Sequence, residues 1–465
     1  MTKPDKKNDN VMEEIISLSK RRGFIFQGSE IYGGLAGTWD FGPLGVALKK
    51  NIENLWWKRF VSDREDMYGM DAAILMNQNV WKASGHVGGF SDPLVEDLKT
   101  KKRYRADHLL EAADVDPKGM TIAEMDALIR EKKIKSPDGN ALGEVRQFNL
   151  MFKTHVGATE DESAISYLRP ETAQGMFVNF KNIVDTFHPK LPFGMAQIGK
   201  AFRNEISPGT FIFRKRELEQ MEIEYFVDPR DEKKVDETFN ALFDEQMAFL
   251  DDLGLSKSKI HKVEIAAADR AHYSKRSVDT EFDFVFGQKE LLGLAYRTDY
   301  DLKAHTEASK VDLSYFDEET KARVTPHCIE PTFGLDRLIL AVLSDAYTED
   351  SMAGEKRVFL KFKPSVAPVK VAVFPLLKNK PDLVAKAREV YNQIRKAIPQ
   401  TMFDDNGNIG KRYRRQDEIG TPLCVTVDFE TIEQGTGVTV RDRDTGAQER
   451  VSLEKLATYL LEKLN

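Results

Sequence analysis

Cysteine is nearly missing from this sequence: Cys328 and Cys424 are the two examples in 465 residues, and no Cys-x-x-Cys pair occurs. Neither a disulfide framework nor a thiolate zinc site can be built from them, so any divalent metal would have to be held by oxygen. Long apolar runs are absent as well. The longest, Leu338 to Leu343, falls far short of the ~18 residues that cross a bilayer, and the polar N-terminus lacks the apolar core of a signal peptide. The expectation is a soluble, cytoplasmic protein with no membrane partner. There is no Walker-type phosphate loop and no Gly-x-Ser-x-Gly elbow, which removes the commonest nucleotide-binding and hydrolase motifs. Repeats and low-complexity tracts are missing too. A composition of 41% hydrophobic and 31% charged residues excludes disordered, collagenous and coiled-coil chains.

Excess positive charge is also lacking. A net charge of −7 argues at first against a nucleic-acid partner, because affinity for phosphate backbones rests on Lys and Arg. The deficit is uneven, however. Residues 369–465 carry 16 Lys and Arg against 14 Asp and Glu, and the rest carries 52 against 61. Lys411, Arg412, Arg414 and Arg415 make the densest basic spot of that segment; taken alone, such a cluster is a solvated face.

A length of 465 residues at ~150 per domain suggests about three domains. Residues 1–10 are polar and are expected to form a disordered tail, with structure starting near Val11. After Pro43, Leu48, Ile52, Leu55, Trp56 and Phe60 recur at helical spacing. Residues 94–143 are charged, helix-prone and broken by Asp116-Pro117 and Pro137-Asp138-Gly139; they read as an insertion with few core residues. Met195–Ile206 and Arg216–Val227 are strand-like around a loop holding Ser207-Pro208-Gly209, which predicts a long hairpin. A second pair of apolar stretches flanks Gly287-Gln288. Cys328-Ile329 then leads through Gly334 into a helix bearing Leu335, Leu338, Ile339, Val342 and Leu343. Hairpins with helices around them predict an antiparallel α+β core over residues 11–363. Beyond a proline-bounded connector at 364–368, strands alternate with helices, so 369–465 reads as a separate α/β domain.

Side chains two apart on a strand share a face, so Arg203 lies with Glu205, and Arg216 with Leu218, Gln220, Glu222 and Glu224. One Arg-x-Glu alone is ordinarily a cross-strand ion pair. Arg337 changes the balance, because it sits in the first turn of the apolar helix, where the dipole prefers an anion. A bound polyanion is the best explanation.

These residues carry a resemblance. Pro43 before its helix, Phe202-Arg203-Asn204-Glu205 and Phe333-Gly334-Leu335-Asp336-Arg337-Leu338 resemble, in order and spacing, the three motifs of class II aminoacyl-tRNA synthetases. Trp81-Lys82-Ala83-Ser84-Gly85-His86, Tyr104-Arg105-Ala106-Asp107-His108, Leu168-Arg169-Pro170-Glu171-Thr172-Ala173-Gln174 and Arg297-Thr298-Asp299-Tyr300-Asp301-Leu302 narrow the resemblance to the dimeric glycyl-tRNA synthetases, from about Ser17 to the C-terminus. It implies activation of glycine by ATP and transfer to tRNA(Gly). Arg203 would bind the α-phosphate and the substrate carboxylate, Glu205 the adenine amino group, and Arg337 the γ-phosphate; Arg203 and Arg337 are the implied catalytic pair. Asn204, Phe213, Arg214, Lys215, Arg216 and Glu217 would continue the ATP site. Leu218, Leu291, Gly334, Leu335 and Asp336 would complete it, with Glu290 as ligand to Mg2+.

For glycine, the resemblance implies Glu171, Glu222 and Glu330 around the ammonium, with Arg297 nearby. Arg105, Leu218, Glu219, Gln220 and Met221 would join Pro331, Thr332, Phe333 and Gly334 in the wall. Taken alone, Glu219 and Glu224 read as surface carboxylates. Two positions depart from the family pattern: Leu218 stands where Phe is usual, with Phe213 positioned to compensate, and Thr332 stands where Ser is common. His86 and His108 are expected to orient loops or substrate, and His305 and His327 to pack. The tail resembles the anticodon-binding domain of the glycyl, histidyl, prolyl and threonyl enzymes, which implies tRNA contacts at Lys411, Arg412, Arg414 and Arg415. The Pro43 helix implies a homodimer. A non-catalytic relative would be expected to lose Arg203, Glu205 and Arg337; all three are present.

Overall fold

Seven strands form the central sheet of the computed structural model, which describes residues 6–464 other than 159, 160, 272 and 353. In chain order they are β1 (Met67–Gly69), β2 (Phe193–Phe202), β3 (Glu217–Val227), β4 (Ile260–Glu264), β5 (Arg276–Phe284), β6 (Gly287–Thr298) and β7 (His327–Gly334). Across the sheet they run β4-β5-β6-β7-β3-β2-β1. All neighbours are antiparallel except β2 and the short edge strand β1. The α+β core expected from the hairpins is therefore present.

The helices that position the site are α1 (Lys6–Arg22), α2 (Pro43–Trp57), α3 (Ala173–Phe187), α4 (Glu232–Asp252), α5 (Tyr300–Ser309) and α6 (Leu335–Ala346). Period-two alternation divides β3 between two environments. Met221, Ile223, Tyr225 and Val227 join one hydrophobic core with Leu48, Ile52 and Trp56 of α2, Phe239 and Phe249 of α4, and Leu338, Ile339 and Val342 of α6. Leu218, Gln220, Glu222 and Glu224 occupy the alternate positions, which the core leaves for chemistry. Pro43 opens α2 at a position where its missing N–H costs nothing.

The structure corrects two expectations. Helix α1 starts at Lys6 rather than near Val11, because Ile15 and Leu18 are buried and an anchored helix propagates through polar residues at little cost. Residues 1–5 lie outside the described residues. The insertion is not merely helical and charged. Strands Ser91–Glu96, Arg103–Arg105 and Arg146–Asn149 form a sheet beneath helices Ala106–Ala112 and Ile122–Glu131. Val95, Ala106, Leu109, Leu110, Met125, Ile129 and Val145 give it a core of its own. Six of them are divided among one strand and two short helices, and Val145 stands just before the third strand, so no one window shows a strong period.

The C-terminal sheet has the order 401–403, 371–375, 423–427, 438–442, 448–451. Helices α7 (Pro381–Ala397) and α8 (Ile409–Glu418) accompany it, and Val373, Val390, Ile394, Val425 and Leu460 lie in a second core. Arg357 ties this region to the rest: it donates to Asp350, to the Arg443 carbonyl at 2.6 Å and to buried Asp417 at 3.3 Å.

Candidate active site

Where the hairpin loop, β3, β6, β7 and the start of α6 meet, they leave a cleft of about 310 Å³. Arg203, Glu205, Phe213, Arg214 and Lys215 come from the loop, Leu218 and Gln220 from β3, Glu290 and Gly293 from β6, Thr332 and Gly334 from β7, and Asp336 and Arg337 from α6. Leu291 and Arg105 also border it. Most of the implied ATP site is thus gathered around one opening.

The cations are held differently from one another. Arg203 donates Nε to the Pro170 carbonyl at 3.0 Å and lies 5.5 Å from the Phe90 ring; among the described residues it forms no ion pair. Arg337 lies 3.0 Å from the Glu290 carboxylate and 4.4 Å from the Phe213 ring. Phe213 itself packs edge-on to Phe284 and Phe286. Buried Lys215 pairs with Asp336 at 2.6 Å, and the other Asp336 oxygen accepts from the Glu219 backbone at 3.0 Å, so Asp336 clamps the hairpin to the start of α6. Arg105 is paired with Asp92 and Asp107 at 2.7 and 2.6 Å.

Several implied residues turn elsewhere. Met221, Phe333 and Leu335 are fully buried in the hydrophobic core, so their side chains do not reach the cleft. Pro331 shares a strand face with Phe333. Glu219 borders the cleft, but its carboxylate pairs with Lys49 of α2, and Glu217 pairs with Lys200. Asn204 donates its backbone N–H to Leu150, and the Arg216 guanidinium donates to the carbonyls of Ala36 and Glu205. The motif names consecutive residues, whereas a strand sends alternate ones to opposite sides.

Deeper along β3 and β7 the site becomes acidic. Glu222, Glu224 and Glu330 are buried, with one carboxylate oxygen of each within 4.8 Å of the others. Glu222 accepts from Thr172 and from Thr332 at 3.2 Å. Arg297 donates to Glu330 at 2.7 Å and to both oxygens of Asp301 at 2.8 Å. Glu171 lies 3.3 Å from His86 and accepts from Gln174 at 3.0 Å. Burial opposes ionisation of Glu171, yet His86, Arg297 and the Gln174 amide together hold its carboxyl below the usual range. The balance reverses nearby. Burial and then Glu171 raise the Glu222 carboxyl. Burial, only partly offset by Arg297, pushes Glu330 up to about 8. Glu224 is no surface carboxylate. It is fully buried, accepts from the Cys328 thiol at 2.9 Å, and is held well above the usual range by burial and then by Glu330. The sequence reading missed Thr172, Gln174 and Asp301; all three stand in motifs already noted, but nothing local to the sequence shows that α3 and α5 meet behind the pocket.

On the outer strands, Glu281 faces Glu290 in register, and Asp279 lies two residues before Glu281. Burial first, then Glu290 and Glu281, push the Asp279 carboxyl up to about 6. Among the described residues these three carboxylates do not gather as one set of ligands; Glu290, which lines the cleft, is the one placed to meet a hard divalent cation there.

The basic spot on α8 divides in two. Arg412 is 1% exposed and donates to the backbone carbonyls of Pro375, Asp405 and Gly407, so it holds the domain together rather than facing RNA. Residues 412 and 416 share the buried helix face, which clustering by sequence overlooks. Arg414 pairs with Glu355 at 2.9 Å and Arg415 with Asp404 at 2.7 Å, whereas Lys411 is exposed.

Comparison with known proteins agrees with this geometry. Residues 152–346 match the tRNA synthetase class II core domain (G, H, P, S and T), and residues 370–463 match the anticodon binding domain. The glycine–tRNA ligase of Caldanaerobacter subterraneus subsp. tengcongensis is 50% identical over 461 residues, spanning 97% of this chain and 98% of the relative. That of Clostridium acetobutylicum is 49% identical over 98% of this chain and its own full length, and that of Geobacillus thermodenitrificans 50% identical over 97% of each. Matched from end to end by such relatives, with both family models falling on the parts described above, the chain belongs to the glycine–tRNA ligase family of class II aminoacyl-tRNA synthetases.

Proposed function

We propose that this enzyme joins glycine to ATP as glycyl adenylate, releasing pyrophosphate, and then transfers the glycyl group to the terminal adenosine of tRNA(Gly), releasing AMP. The observation that carries the reading is the contact between two unlike sites: a cleft lined by Arg203, Arg214 and Arg337 meets, at Gln220 and Thr332, a buried cluster of carboxylates. Triphosphate fits the first and a small ammonium the second.

The substrate carboxylate is already ionised, so adenylation needs no side-chain base. What it needs is charge neutralised where the carboxylate oxygen meets the α-phosphate, and a guanidinium that never deprotonates supplies that. Arg203, which lines the cleft and forms no ion pair among the described residues, would take that role. Arg337, resting on Glu290, would exchange that partner for the γ-phosphate. Mg2+, held through Glu290, would screen the triphosphate oxygens. The reading calls on no zinc.

Glycine has no side chain to grip, so selection must come from excluding a Cβ. A missing methyl would be worth only ~1–3 kcal/mol, whereas a clash discriminates more strongly. The wall where Thr332 donates to Glu222 is suited to that task.

The C-terminal domain would read the anticodon, with Lys411 its most accessible cation on α8. Ile31 and Tyr32, 89% and 87% exposed, and exposed Leu35 come shortly before α2 in the chain and suit a second copy of the chain; a homodimer follows on this reading. A part in translation would put the chain in the cytoplasm. Among the described residues no helix is long and apolar enough to cross a membrane. ATP–pyrophosphate exchange dependent on glycine, and at least about a hundredfold slower with serine or alanine, is the expected result. Equal exchange with alanine would overturn the assignment of the pocket.

A further inference from the structure

Behind the carboxylates, α3 and α5 bring two uncharged polar side chains into the same network. Gln174, fully buried in the first turn of α3, donates its amide nitrogen to Glu171 at 3.0 Å and to Asp301 at 2.9 Å. Its oxygen lies 2.8 Å from Nε2 of His305. His305 stands one turn after Asp301 on α5 and is 5% exposed.

Chemistry fixes the directions of these bonds. Were the amide reversed, its oxygen would face two carboxylate oxygens and neither bond could form. The nitrogen must therefore face Glu171 and Asp301, and the oxygen must accept from His305. That sets the His305 tautomer with its proton on Nε2. Burial, opposed by Asp301, lowers the His305 pKa and favours the neutral ring. The bonds continue from Asp301 through Arg297 to Glu330.

We infer that His305 and Gln174 are positioning residues for the amino-acid pocket: His305 fixes the Gln174 amide, and that amide sets the places of Glu171 directly and of Glu330 by way of Asp301 and Arg297. This rests on the reading of the pocket given above. It differs from packing in what it predicts, because a packing residue would disturb both substrates or neither. Among the described residues the side-chain bonds of the network end at the carboxylates assigned to the ammonium and none reaches Arg203 or Arg337; the link to the ATP cleft is through the backbone, where Arg203 donates to the Pro170 carbonyl one residue before Glu171.

The test is ATP–pyrophosphate exchange with the full chain carrying His305→Leu, His305→Gln or Gln174→Met. Removing the donor in His305→Leu raises the glycine KM by about tenfold or more, with the KM for ATP within about twofold of the unsubstituted enzyme. His305→Gln, which returns an N–H close to the same place, recovers most of the loss. Gln174→Met keeps length and volume but removes the amide, and shows the same split. In the double variant His305→Leu adds little to Gln174→Met, because the two act in series. An equal rise in both KM values, a Gln variant no better than Leu, or a fully additive double variant would overturn the inference. If His305→Leu does not fold, Gln174→Met decides by the same split. Should the unsubstituted enzyme show no glycine-dependent exchange, the functional reading itself fails, which is a separate and visible result.

Discussion

Burial, followed by Glu222 and Glu171, pushes the Glu330 carboxyl up to about 8 even though Arg297 donates to it at 2.7 Å. In an unfolded chain the same group ionises near ~4.3. Between those values the folded protein holds a proton that the unfolded chain has released, so stability falls as pH rises through this window and levels off above about 8. Glycine's ammonium favours the ionised carboxylate. The rise in melting temperature produced by saturating glycine should therefore be larger at pH 8 than at pH 6, and Glu330→Gln should flatten the difference; a smaller rise at pH 8 would contradict the assignment. Individual residues were legible unequally in the sequence. Arg337 stood out because a cation in the first turn of a helix is costly to explain otherwise, and Arg203 stood out only once Arg337 and the shared motifs were set beside it. Met221 and Phe333 were misplaced because neighbours in a motif part company on a strand. Glu224 looked like a surface group because nothing in the sequence shows how far β3 runs beneath its neighbours.

Helix α8 shows the same difficulty one level up. Its four cations read as one patch, yet a helix distributes consecutive residues around its circumference, and the face bearing Arg412 and Gln416 is buried. Arg412→Ala would leave three backbone carbonyls without their donor, at ~1.5–3 kcal/mol for a charged hydrogen bond. Thermal unfolding should therefore show a lower melting temperature for the C-terminal domain, whatever the effect on RNA. Lys411→Ala should leave that temperature unchanged, raise the KM for tRNA by about two- to fivefold through one lost phosphate contact, and leave glycine-dependent exchange as it was. Reversed outcomes for the two variants would show that the helix faces RNA through its other side. Elements with one strong period, such as α2, α6 and the β2–β3 hairpin, were readable within a few residues. The insertion was not, since its seven core residues are divided among one strand, two short helices and a position before the third strand, too few in each to produce a periodic signal.

At the scale of the whole molecule, the exposed apolar segment is connected to the cleft by a short path. Ile31, Tyr32 and Leu35 belong to the stretch that ends at Ala36 and Gly37. The Gly37 carbonyl accepts from the Arg216 backbone at 2.8 Å, and the Ala36 carbonyl accepts from its guanidinium at 2.6 Å. Arg216 in turn donates to the Glu205 carbonyl at 3.1 Å and accepts from the Arg203 backbone at 2.8 Å. Whatever covers Ile31 and Tyr32 therefore braces the loop that carries Arg203 and Glu205. If a second copy does so, Ile31→Asp combined with Tyr32→Ser should yield a monomer by light scattering at micromolar concentration and raise the KM for ATP by about tenfold or more. The glycine carboxylates lie beyond this path, so the melting-temperature response to glycine should persist. A variant that stays dimeric, or a monomer with full exchange activity, would separate the apolar patch from the loop and leave the surface without a role in catalysis.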